Sequence, residues 1–166
     1  MKKIDIILIG KTKYEGVDFI CENFKQRIKS FYRLEEYILK EGKSDFIEKE
    51  ILNKIFNLLN IKNKDIILKE KINCKKISNI IVFSPEGIEM DSNQFSNIIF
   101  DNILINYDNV IFIVGNKEGI PNSIKNIAGN VISFSKMVFG HQIFKIILYE
   151  QIYRAICIKN KINYAF

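Results

Sequence analysis

Eight residues, FIVGNKEG at Phe112–Gly119, decide how the chain is read. An unbroken apolar run of this kind suits a strand buried on both faces, the mark of a parallel sheet covered by helices. It stops at one glycine, passes through Asn, Lys and Glu, and reaches a second glycine four positions on. Such a turn brings backbone close to a ligand.

The segments on either side repeat the pattern. Upstream, KIDIILIG (3–10) is a first strand, RLEEYIL (33–39) a second and SNIIVFSPEG (78–87) a third that closes on a Pro-Glu-Gly turn. Downstream, NVISFS (130–135) is another strand. Between them lie helical periodicities. VDFICENFKQRIKSF (17–31) spaces Phe19, Phe24, Ile28 and Phe31 as a buried stripe. The segment at 44–60 sets Phe46, Ile47, Ile51, Ile55, Leu58 and Leu59 on one face, with Ser44 as its cap. Further helices are expected near 92–104, 121–127 and 141–158. Strand and helix units in alternation imply an α/β fold, a mostly parallel sheet with helices on both faces. No linker or repeat divides the 166 residues, so one domain over 1–166 is expected.

Composition excludes several classes of function. Asp5 interrupts the apolar amino-terminal run where a signal peptide would be uniformly apolar, so a soluble, cytoplasmic protein without membrane association is expected. Cys21, Cys74 and Cys157 are odd in number and lack metal-site spacing, which predicts reduced, buried thiols and no metal. The chain carries a formal charge of +6. This suits a polyanion such as RNA, although a general enrichment in Ile, Lys and Asn would produce the same excess. GxxxxGK[ST], GxGxxG and GxSxG are all absent, which removes the P-loop, dinucleotide-binding and serine-hydrolase readings.

Ligand clefts of open parallel sheets lie beyond the carboxyl ends of the strands. Three such ends stand out: FSPEG (83–87), GNKEG (115–119) and SFSKMVFG (133–140). Each alone is only a turn.

Joined to the carboxyl-terminal segments of the chain, these turns carry a resemblance. FIVGNKEG, then ISFSKMVFGHQIFK (132–145), LYEQIYRA (148–155) and the terminal NYAF are similar to the RlmH family of SPOUT methyltransferases, and the likeness runs from LIGK (8–11) through the final tyrosine, Tyr164. The resemblance implies a carboxyl-terminal trefoil knot, a rare exception to ordinary chain connectivity. It also implies a homodimer, S-adenosylmethionine as cofactor, and 23S ribosomal RNA in the ribosome as partner, methylated at N3 of a pseudouridine. Carried over by position, the cofactor-binding residues are Phe83, Gly115, Gly119, Phe134, Ser135, Lys136, Met137, Val138 and Phe139. Phe83, Phe134, Met137 and Phe139 equally suit a plain core.

A proton must leave N3, which makes His141, Lys145, Arg154 and Tyr164 the catalytic candidates. His141 and Lys145, four apart on a helix, share a face and are expected to meet RNA, while Arg154 pairs more naturally with Glu150. The chain departs from the family pattern at several points. Lys145 stands for an arginine, Gly140 for a proline, Val138 for a threonine, Asn116 for a glycine, Ser84 for an acidic residue, and Ala165 for a tail histidine. The altered tail leaves open a relative that binds cofactor or RNA without catalysis, and a SPOUT enzyme acting on transfer RNA is a further alternative. A flavodoxin-like nucleotide binder is remote, because GKTKYEG (10–16) is a poor phosphate cradle.

Overall fold

The computed structural model describes residues 1–11, 14–61 and 76–164; Cys74 and Ala165 lie outside the described residues. Among the described residues five strands form one parallel sheet: β1 (Lys3–Ile9), β2 (Arg33–Leu39), β3 (Ile77–Glu89), β4 (Asn109–Val114) and β5 (Ala128–Ser133), in the order β2-β1-β4-β3-β5. The expected α/β class and parallel pairing are therefore present.

The central strands are buried on both sides because their side chains alternate between two cores. Ile4, Ile6 and Leu8 of β1, with Val110, Phe112 and Val114 of β4, enter one core. Ile7, Ile9, Ile111 and Ile113 enter the other. The first core is covered by α1 (Glu15–Lys29), by the segment that begins as α3 (Ser92–Asn97), and by the last helix, α5 (His141–Lys159). The second is covered by α2 (Ser44–Leu58) and α4 (Asn122–Ile127). Asp5, buried in β1, lies 2.7 Å from the Lys3 ammonium as an ion pair and accepts from the Asn109 amide at 2.9 Å, so its charge is paired.

α3 opens with a capping box in which Asp91 accepts from the Gln94 backbone and the Gln94 side chain accepts from the Asp91 backbone. It then widens into a π-helical stretch, Ile98–Ile103, and ends in the turn Leu104–Asn106. Ser96 ties it to α5 by donating to the Ala155 carbonyl at 2.9 Å.

Several local expectations are corrected. The buried stripe of α1 is Val17, Cys21 and Ile28, while Phe19 is 78% exposed. Phe19 lies two residues, about 200°, around the helix from Val17. In α2 Ile47, Ile51 and Ile55 are buried and Phe46 is exposed; Lys43 holds the cap position, and Ser44 begins the helix without capping it. β3 does not close at Pro85-Glu86-Gly87. Both Phe83 and Ile88 face Ile132 of β5, so residues 84–87 loop out of a strand that continues to Glu89. β5 ends at Ser133, which leaves Phe134 and Ser135 in the following loop. Cys21 and Cys157 are buried free thiols, as expected of reduced cysteines.

Candidate functional site

The looped-out residues of β3 and the carboxyl ends of β4 and β5 surround a cavity of about 570 Å³. This lies within the usual range of small-molecule sites, roughly 300–1,000 Å³. Its position beyond the ends of adjacent parallel strands is where clefts form in such sheets.

The floor is aromatic. Phe83, only 6% exposed, has ring-centroid distances of 5.0 Å to Phe134, 5.3 Å to Phe144, 5.8 Å to Phe112 and 6.3 Å to Phe95. Phe83, Phe134 and Phe144 belong at once to the first core and to the cavity wall. The two readings of Phe83 and Phe134 are thus compatible.

The wall after β4 is a tight turn. The Gly119 N–H donates to the Asn116 carbonyl at 2.9 Å, and the Asn116 side chain accepts from the Glu118 N–H at 3.0 Å. Asn at the first position and glycine at the last are favoured in such a turn. Gly119 has φ +78°, a conformation that suits glycine. At Gly115 the constraint is space, since a Cβ would lie 2.8 Å from the Gly119 carbonyl carbon. Asn116, where the family has glycine, thus contributes a side-chain bond that glycine would lack.

The wall after β5 is shaped by hydroxyls. Ser133 donates to the Ser135 carbonyl at 2.7 Å, and Ser135 accepts from the Met137 N–H at 2.9 Å. Met137 and Val138 are exposed at the cavity edge, with Phe139 and Gly140 leading into α5.

Phe83, Gly115, Gly119, Phe134, Ser135, Met137, Val138 and Phe139 all line this space, and so does His141. Lys136 does not; it is exposed on the same loop. Lys145 also departs from expectation. It is 2% exposed, 3.2 Å from Asp18 of α1 and 3.4 Å from Glu36 of β2, so its charge is drawn under α1 rather than outward. Burial disfavours the Glu36 carboxylate. The Tyr149 hydroxyl, Lys145 and Lys25 outweigh this and hold its pKa below the ordinary value.

Arg154 and Tyr164 gather toward the other end of α5, away from the cavity lining. Arg154 holds Glu150 through Nε at 2.9 Å and Nη2 at 2.6 Å, and its guanidinium lies 4.8 Å from the centre of the Tyr164 ring. Burial, then the nearby Glu150 charge, pushes the Tyr164 pKa up. Its hydroxyl stays protonated at neutral pH.

Sequence reasoning missed an ion pair on the cavity wall, Lys125 with Glu86 at 2.8 Å. It also missed Phe144, whose position one turn into α5 was the only available signal. Among the described residues no helix is long and apolar enough to cross a membrane, and no group of three or more His, Cys, Asp or Glu side chains is placed to hold a metal ion.

Comparison with known proteins shows the family. The family model described as a predicted SPOUT methyltransferase matches residues 1–165. Proteins named ribosomal RNA large subunit methyltransferase H are similar over nearly their whole length. The one from Caldicellulosiruptor bescii is 38% identical, with 93% of this chain and 94% of the relative covered. The one from Malacoplasma penetrans is 34% identical, with 98% of each covered. The one from Caldicellulosiruptor saccharolyticus is 31% identical, with 97% and 98% covered. The cavity therefore sits in a methyltransferase, and the chain belongs to the RlmH family of SPOUT methyltransferases.

Proposed function

We propose that this protein transfers a methyl group from S-adenosylmethionine to N3 of a pseudouridine in 23S ribosomal RNA, with the assembled ribosome as substrate. The observation that carries the reading is the placement of the looped-out β3 segment and the carboxyl ends of β4 and β5 around one cavity in a chain of this family. Residues 1–166 act as one cytoplasmic domain with the family's trefoil knot, and two copies form a homodimer.

The lining fits the cofactor. An aromatic floor of Phe83 and Phe134 suits the adenine faces, and the backbone at Gly115–Gly119 suits its polar edge. When bound, the cofactor supplies an electrophilic methyl group on a charged sulfur, a leaving group that needs no acid. The chain's own task is to align the acceptor and accept its proton. With the methyl donor bound, His141, the catalytic candidate on the cavity wall, would take the proton that leaves N3 as that nitrogen gains its methyl group. Lys145 braces α5 from beneath through Asp18 and Glu36. Tyr164 is a hydrogen-bond donor rather than a base, because its pKa is raised. In this proposal Tyr164 and Arg154, which do not line their own chain's cavity, face the cavity of the second copy.

Two measurements test this reading. The first is transfer of labelled methyl to ribosomes lacking the modification. Label in 3-methylpseudouridine is expected; cofactor binding with no transfer to any RNA would identify a non-catalytic relative, and preferential transfer to transfer RNA the other enzyme class. The second is mass in solution at micromolar concentration, where a monomer would contradict the dimer.

A further inference from the structure

The two ends of the cavity differ in chemistry. Its floor is a set of aromatic rings, whereas its rim carries the ion pair between Lys125 of α4 and Glu86 of the looped-out β3 segment, 2.8 Å apart. The Lys125 side chain is only 18% exposed, while that of Glu86 is 78% exposed. The cation is thus fixed by its surroundings and the carboxylate has room to swing. Lys117 and Glu118, also on the wall, are 3.9 Å apart and largely in water, which makes them a weaker clamp. Lys125 holds the Glu86 carboxyl below the usual range, so the carboxylate is charged at neutral pH.

We infer that Lys125 and Glu86 recognise the amino-acid end of the methyl donor, Lys125 pairing with its carboxylate and Glu86 with its ammonium. The inference rests on the cofactor reading above. A zwitterionic head carries both charges on one carbon. Its entry exchanges the Lys125–Glu86 pair for two pairs of the same kind without changing the net charge of the site. A pair whose carboxylate lies largely in water contributes little on its own, so the exchange gives up little. Charge-assisted hydrogen bonds with a bound zwitterion recover more.

The test is calorimetric titration with three ligands. S-adenosylhomocysteine has both head charges, its decarboxylated analogue keeps only the ammonium, and 5′-methylthioadenosine has neither. Lys125→Gln is expected to weaken S-adenosylhomocysteine about ten-fold, the effect of one charged hydrogen bond, and to leave the other two ligands unchanged. Glu86→Gln is expected to weaken both ammonium-bearing ligands and spare 5′-methylthioadenosine. Because Glu86 is so exposed, this variant keeps its fold even if Lys125→Gln does not. Equal losses for all three ligands, or no loss for any, would overturn the inference and make the pair a plain latch between α4 and β3. Failure of the unaltered protein to bind any of the three would instead overturn the cofactor reading itself.

Discussion

Gly115→Ala is the sharpest probe of the turn after β4. The new methyl carbon would lie 2.8 Å from the Gly119 carbonyl carbon and 2.9 Å from its oxygen. Two carbons in ordinary contact sit about 3.5–4.0 Å apart, so the turn must retreat by roughly 0.7–1.2 Å. The two nearest obstructing atoms are backbone, so a shift of the Ile120 side chain, whose Cγ1 would lie 3.1 Å away, does not relieve the clash. Overpacking of this kind costs about 1–3 kcal/mol, equivalent in a chain of this size to a melting-temperature drop of roughly 2–12 °C. The retreating turn is also cavity wall. A gap of half to one ångström forfeits a quarter to a half of each dispersion contact, and S-adenosylmethionine affinity is expected to fall about ten-fold. The assay is calorimetric titration paired with thermal unfolding. Two other glycines serve as controls. At Gly140 an added Cβ meets nothing within 4 Å and φ is negative, so Gly140→Ala is expected to melt and bind as the unaltered protein does. At Gly119 the space is open but φ is +78°, so Gly119→Ala loses about 1–2 kcal/mol through backbone strain alone. Unchanged affinity and melting in Gly115→Ala would refute the reasoning.

Two further predictions concern the charged layer under α5. Lys145→Met is expected to destabilise by about 1–3 kcal/mol in urea titrations, less than the usual loss for a broken buried pair because Glu36 keeps Lys25 at 3.2 Å and the Tyr149 hydroxyl. Lys145→Arg should recover most of this, and a neutral or stabilising Lys145→Met would contradict the brace. Burial pushes the Cys21 thiol from 9.0 up to about 11, the like charges of Glu36 and Asp18 adding to burial and Lys145 and Lys25 opposing it. A raised folded-state value means stability that is complete below pH 9 and lost as pH rises toward 11, about 2–3 kcal/mol for this shift. Tyr149, raised by burial and by Glu36, acts in the same direction. Urea midpoints should therefore fall across this window less steeply in Cys21→Ala, and an identical slope would assign the loss elsewhere.

The sheet was legible because its central strands are apolar on both faces. Ile4 to Ile9 and Val110 to Val114 leave no polar side for water except at Asp5, and only a central parallel strand uses such a run. The helices were legible as helices but not always in rotation. Val17, Cys21, Phe24 and Ile28 keep helical spacing as well as the stripe built on Phe19 does, and only packing against α5 separates the two. The cavity-lining glycines and Phe134–Phe139 came from motif and family resemblance, and the structure gathers all of them except Lys136 around one cavity. Lys145 was misplaced because its partners, Asp18 and Glu36, are 127 and 109 residues away in sequence, beyond anything helical spacing reports. The Glu86–Lys125 pair was hidden for the same reason, with the added obstacle that β3 was expected to close at Pro85-Glu86-Gly87 rather than to loop out there and continue.

The measurement that tests the central claim most directly is methyl transfer to ribosomes lacking the modification, with the labelled nucleotide mapped along the 23S RNA. The account predicts label at a single pseudouridine, on N3, and its loss at limiting cofactor in Gly115→Ala. Label on another base or another RNA, or no transfer by a protein that binds S-adenosylmethionine, would contradict it.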